Sequence, residues 1–154
     1  MAHFSKSRRV NLSAEQAFAI AADVGSYKEF LPLLKRSAIR GERHLNGAKE
    51  SFDADMQVAF EKLGFRETFT SRVVTDGENL TVQATSCDGP LKSLNAVWSI
   101  KAAGEGAAEV TITVDYVLKN KMLQMVAGSM MGFAADKIMQ AFEDRGRELY
   151  SKLL

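Results

Sequence analysis

The last third of the chain constrains its architecture more than any other part. A strand-like stretch at residues 110–118 runs into one apolar-striped helical segment, expected to begin near Met122 and to reach Leu153. At 1.5 Å per residue, about 30 helical residues extend roughly 45 Å, too far for a connector. Because this is the one long helical pattern and several strand-like segments precede it, the expected arrangement is a curved sheet with the helix along its concave side. Such a pairing leaves a cavity between the two.

The preceding residues supply that sheet. Residues 3–11 read as a basic strand with Phe4 and Val10 on one face. Ser13 and Gln16 then have the spacing of a capping box, which starts a helix striped by Phe18, Ala21 and Ala22. Ser26 and Glu29 repeat the spacing for a second short helix, which has to stop near Leu31 because Pro32 disfavours a helical residue before it. From Lys35 onward the period is two, the spacing of a strand with one buried face. Phe52, Ala54, Met56, Val58 and Phe60 alternate with Ser51, Asp53, Asp55, Gln57 and Ala59. Further strands are expected at residues 65–74, 80–86, 94–102 and 110–118, separated by Asp76-Gly77, Asp88-Gly89-Pro90 and the Gly104–Gly106 turn, while Asn46-Gly47 makes the turn before residue 52. Turns at hairpin spacing imply an antiparallel meander. The fold class is therefore α+β, with about seven strands, two short helices after the first strand and one long C-terminal helix.

A length of 154 residues with 46% hydrophobic content suits one globular domain, taken as residues 1–154. The net charge is +1, but residues 1–49 hold nine Lys and Arg against four Asp and Glu. That basic third, with Lys6, Arg8, Arg9, Lys35 and Arg36, suits anionic lipid headgroups or RNA phosphates, and equally suits ordinary solvated faces. Cys87 is the single cysteine, so an intrachain disulfide is excluded and a reducing compartment is expected. The N-terminal residues lack the apolar core of a secretory signal, and the apolar run at 122–135 falls short of the roughly 20 residues that span a bilayer. The expectation is a cytosolic chain, with peripheral contact at the inner membrane open to it.

Few residues suggest chemistry. His3, His44 and Cys87 are scattered, and neither metal-ligand spacing nor a glycine-rich phosphate loop is present. Strand parity instead collects Phe52, Met56, Val58, Phe69, Val73, Trp98, Ile112 and Val114 on the inner sheet face, opposite Met130, Met131, Ala134 and Ile138 of the helix. Methionine adapts to bulky apolar guests, and the helix holds Met122, Met125, Met130, Met131 and Met139 with Gly128 and Gly132. The same residues would serve as a core stripe. Glu67 shares inward parity with Phe69 and Val73, so a regular strand would aim its carboxylate at the cavity; a β-bulge would turn it out to solvent. An enzymatic site would need a convergent acid and base, for which the chain offers at best Glu67, with Tyr116 sharing the inward parity. The reading is a container without a catalytic set or cofactor, hence not an enzyme.

Several segments together resemble a known family: ADVGSY at 22–27, FLP at 30–32, ETFTSRV at 67–73, DGPL at 88–91 leading to Leu94 and Trp98, AFE at 141–143, and Leu149-Tyr150. Their order and spacing are similar to the coenzyme Q-binding START-like family, within the broader polyketide cyclase/lipid-transfer superfamily of helix-grip folds. The chain departs from the family at Leu33-Leu34, where Trp-Cys is common, and at Leu91, where Phe is usual. The resemblance implies a bent antiparallel sheet gripping the C-terminal helix around an apolar tunnel for ubiquinone or a similar hydrophobic lipid, in support of respiration. Arg72, Lys92 or a protonated Glu67 are the candidate donors to a quinone head. The resemblance equally implies the bacterial ribosome-association toxin branch, whose partner is the large ribosomal subunit, and, third, a cyclase- or dehydratase-like enzyme.

Overall fold

The computed structural model describes residues 2–60 and 64–150, with the backbone alone at positions 60, 65, 130 and 131. Strand β1 (Ala2–Val10) is followed by helix α1 (Ala14–Ala22) and a 3-10 helix (Val24–Glu29). Strands β2 (Leu34–Asn46), β3 (Lys49–Phe60), β4 (Phe65–Asp76), β5 (Thr81–Ser86), β6 (Leu91–Ala102) and β7 (Ala108–Leu118) lead to helix α2 (Lys121–Tyr150). The seven strands form one curved sheet in the order β1-β7-β6-β5-β4-β3-β2, and every neighbouring pair is antiparallel. The α+β meander with a C-terminal helix is what the hydrophobic periods specify. The expected reach of the helix to Leu153 lies outside the described residues.

Local chemistry accounts for most boundaries. Ser13 Oγ accepts the Gln16 amide at 3.1 Å, and Gln16 Oε1 accepts the Ser13 amide at 3.0 Å, completing the expected capping box of α1. The second capping box does not form: the 3-10 helix starts at Val24, two residues before Ser26, and has no side-chain cap. Asp23 C=O accepts the Ser26 amide in a turn already under way, so Ser26 is interior to the element. Gly47 takes φ +64 at the β2–β3 hairpin, as Asn-Gly permits. After β4 the positive φ falls on Leu80 instead of Gly77. There Asp76 accepts the Glu78 and Asn79 amides at 3.0 and 3.2 Å, and the carboxylate builds the turn that glycine was expected to build.

The core lies between the concave sheet face and the C-terminal half of α2. Phe52, Ala54, Val73, Ile100 and Val110 from the sheet are almost fully buried with Met139 and Phe142 from the helix. The Trp98 ring stacks on Phe142 with centroids 5.0 Å apart. At Gly146 the helix comes so close to α1's leader that a Cβ there would sit 2.6 Å from Leu12 Cδ1. The N-terminal half of α2 packs differently. Its buried positions among the described residues are Ala127, Ala134 and Ala135, all short side chains, and Ala127 and Ala134 border a cavity instead of filling it.

Candidate functional site

Solid packing in one half of α2 and small residues in the other leave two adjoining chambers. The inner one, about 170 Å³, is lined by Val24, Tyr27, Met56, Ser71, Val73, Val82, Ala84, Ala96, Trp98 and Ile112. The outer one, about 270 Å³, is lined by Phe4, Pro32, Leu33, Val58, Pro90, Leu91, Tyr116, Leu118, Ala127 and Ala134. Leu31, Leu34, Phe69, Leu94, Val114 and Ile138 border both, so the chambers meet along a common wall. Together they fall within the lower part of the roughly 300–1,000 Å³ range of small-molecule sites.

Alternation along β3, β4, β6 and β7 positions this lining. Met56 pairs with Phe69, Trp98 with Ile112 and Ala96 with Val114, so inward residues of neighbouring strands stand side by side. The segment after the 3-10 helix closes the wall by a different device. Leu33 adopts φ +72, and its carbonyl accepts the Ala59 amide at 2.9 Å, holding Leu31 and Leu34 against the cavity. Arg145 secures the same segment to α2, its guanidinium 5.5 Å from the Phe30 ring centroid and 3.7 Å from Glu29.

Of the residues expected to line a cavity, Met56, Val58, Phe69, Val73, Trp98, Ile112, Val114, Ala134 and Ile138 do so. Phe52 does not; it is 1% exposed in the core, with the Arg43 guanidinium 4.9 Å from its ring. The side chains of Met130 and Met131 lie outside the described residues. Met122 and Met125 are each 74% exposed and Met139 is locked in the core, so the described helical wall is alanine and isoleucine, with no methionine. Glu67 has the inward register, paired with Val58 across a regular β3–β4 ladder without a bulge. It is nevertheless exposed, three residues from the turn at Gly64, and lines neither chamber. Parity gives the face of a sheet, and the helix covers only part of that face.

The proposed polar donors also fall elsewhere. Arg72 is exposed and contacts Asp53 at 3.2 Å, while Lys92 is exposed at the irregularity between β6 and β7. No Asp, Glu, His, Lys or Arg side chain lines either chamber among the described residues. The polar side-chain atoms present belong to Tyr27, Ser71 and Trp98 within, and to Tyr116 without. Tyr27 donates its hydroxyl to the Ala21 carbonyl, and burial holds its phenol far above the ordinary tyrosine value. The Tyr116 hydroxyl is buried without a partner among the described residues; its parity with Ile112 and Val114 indicated the inward face but not the missing partner.

The five basic residues do not share one surface. Lys6 forms an ion pair with Asp136 at 2.7 Å, and Arg8 donates to Gln140 Oε1 at 3.1 Å, so both tie β1 to α2. The Lys6 hydrogen bond holds the Asp136 carboxyl below its usual range. Arg9 is exposed on the other face of β1, whereas Lys35 and Arg36 are exposed on β2, at the opposite end of the strand order.

Comparison with known proteins fits this geometry. Residues 10–143 match the family described as polyketide cyclase / dehydrase and lipid transport. The chain belongs to that family. It is 30% identical over 152 residues to the ribosome association toxin RatA of Escherichia coli K12, covering 98% of this chain and 90% of that one. It is 26% identical over 154 residues to the mitochondrial coenzyme Q-binding protein COQ10 homolog B of Xenopus laevis, covering 97% of this chain and 59% of the relative. The crystal structure of the Zhui aromatase/cyclase from Streptomyces sp. R1128 superposes with a TM-score of 0.78 at 16% identity, covering 97% and 96% of the two chains, a likeness of fold. No described helix is long and apolar enough to cross a membrane.

Proposed function

We propose that the chain, acting as one domain over residues 1–154, is a non-catalytic binding protein for ubiquinone or a similar hydrophobic lipid, held between α2 and the sheet. The observation that carries this reading is the lining itself: two adjoining chambers walled by apolar side chains and a few hydroxyl, indole and thioether groups, with no titratable acid-base pair among the described residues. Each CH₂ of a guest moved from water into such a space contributes about 0.8 kcal/mol, so affinity needs few polar contacts. The similarity to a coenzyme Q-binding protein supports a quinone as the guest and respiration as the process served. In this reading the protein works in the cytosol and delivers its lipid at the inner membrane.

The test is purification from native membranes followed by mass spectrometry of bound lipid, with melting measured on adding quinone. Ligand that binds only the folded state stabilises it increasingly as its concentration exceeds Kd, so the melting temperature rises with the logarithm of ligand concentration above Kd. Repeated preparations without lipid, together with unchanged melting, would sink the proposal.

The RatA relative favours a second reading, in which exposed cations such as Arg9 and Arg36 meet rRNA phosphates of the large ribosomal subunit. Neutralising phosphates releases counterions, so that association should weaken steeply with salt, and lipid retention should not. A cyclase-like reaction has weaker support, because neither chamber is lined by a described general acid-base pair.

A further inference from the structure

The outer chamber has sixteen described lining residues, and Tyr116 carries the one polar side-chain atom among them. Tyr116 stands on β7 between Ala2 of β1 and Leu94 of β6, and it is 6% exposed. Its hydroxyl is out of reach of solvent and of every hydrogen-bonding group described. Buried hydroxyls without partners are rare in folded proteins, because dehydration is uncompensated unless a partner arrives. The backbone from Tyr116 to Leu118 is tied to α2: Gln124 accepts the Leu118 amide at 2.6 Å and donates to the Tyr116 carbonyl at 3.4 Å. The first turn of the helix therefore anchors the strand that carries Tyr116, and the hydroxyl's hydrogen-bonding capacity is unused among the described residues.

Resting on the lipid-binding reading above, we propose that the Tyr116 hydroxyl is the donor to a carbonyl oxygen of an uncharged lipid, and that this bond sets which end of the guest occupies the outer chamber. The donor role follows from the phenol's surroundings. Burial holds its pKa above the ordinary tyrosine value, so it keeps its proton at neutral pH. The guest is uncharged because neither chamber offers a described cation to a carboxylate or phosphate. With the oxygenated end at Tyr116, the apolar remainder extends past Phe69 and Ile138 toward Trp98 in the inner chamber. Quinones and fatty esters share this chemistry, and size separates them.

The experiment compares the intact protein with Tyr116→Phe, using three probes: decylubiquinone, methyl decanoate and decylbenzene, which keeps a ring and tail but lacks an acceptor. Loss of one neutral hydrogen bond weakens binding by about fivefold. That loss is expected for decylubiquinone, and for the ester if the chamber takes both carbonyl classes, while decylbenzene affinity stays within about twofold because it never used the bond. The ligand-free variant should melt no lower than the parent, since an unsatisfied hydroxyl has been removed. Equal losses for all three probes, no loss for any, or a lower melting temperature for the ligand-free variant would each overturn the assignment. If no probe binds the parent protein, it is the lipid-binding reading that fails.

Discussion

Asp76 shows how one carboxylate decides a turn. It accepts from the Asn79 side chain at 2.8 Å and from two backbone amides beyond β4, and these bonds hold its pKa below the ordinary aspartate value. A depressed pKa contributes stability that is present above the unfolded value, about 3.9, and is lost as pH falls through the folded one. Asp76→Asn should therefore lower stability at pH 7, and the gap between variant and parent should shrink on acidification to pH 3. Urea melts at the two pH values check this; a gap of constant size would show that the turn does not depend on the ionised carboxylate. The Asp-Gly pair marked a turn in the sequence, but not the positive φ at Leu80, because side-chain capping can replace glycine's conformational freedom. Glu67 teaches a related point. Its register was legible, yet its exposure depends on where the helix stops covering the sheet, which no local period reports.

Helix α2 combines two kinds of packing, and its glycines report which is which. At Gly146 an added methyl would meet Leu12 Cδ1 at 2.6 Å and Cγ at 3.2 Å, so Gly146→Ala forces a buried leucine to move and should cost about 1–3 kcal/mol. At Gly128 and Gly132 an added methyl meets nothing within 4 Å. There alanine should stabilise the helix by about 0.5–1 kcal/mol per site. Chemical denaturation of the three variants checks the pattern, and destabilisation at all three positions would contradict it. The sequence made the helix legible through its period, but the direction of the methionines was not. Met122 and Met125 point to solvent because Ala127, Ala134 and Ile138 occupy the arc that faces the chambers. A helix with apolar residues on more than one face does not reveal which face is buried until its partner is placed.

For the whole molecule, the antiparallel meander and the covering helix follow from alternation, turn chemistry and helix length, so the architecture was legible almost throughout. The cavity was legible only in part. Strand parity found its sheet wall, including Met56, Phe69, Trp98 and Val114, because a regular ladder keeps every second residue on one face. It could not find Leu31, Pro32 and Leu33, whose contribution rests on an irregular backbone. Nor could it show that Lys6 and Arg8 would be engaged by α2 and leave the basic third divided between two sheet edges.

Trp98 is the single tryptophan of the chain and lines the inner chamber, so its fluorescence reports on occupancy without a label. Titration with decylubiquinone should quench it saturably in the parent protein. Ala134→Phe, which fills space in the outer chamber, should leave the fold intact and abolish the saturable component. Quenching that is linear in quinone concentration and identical in the two proteins would show that the lipid does not enter between the helix and the sheet.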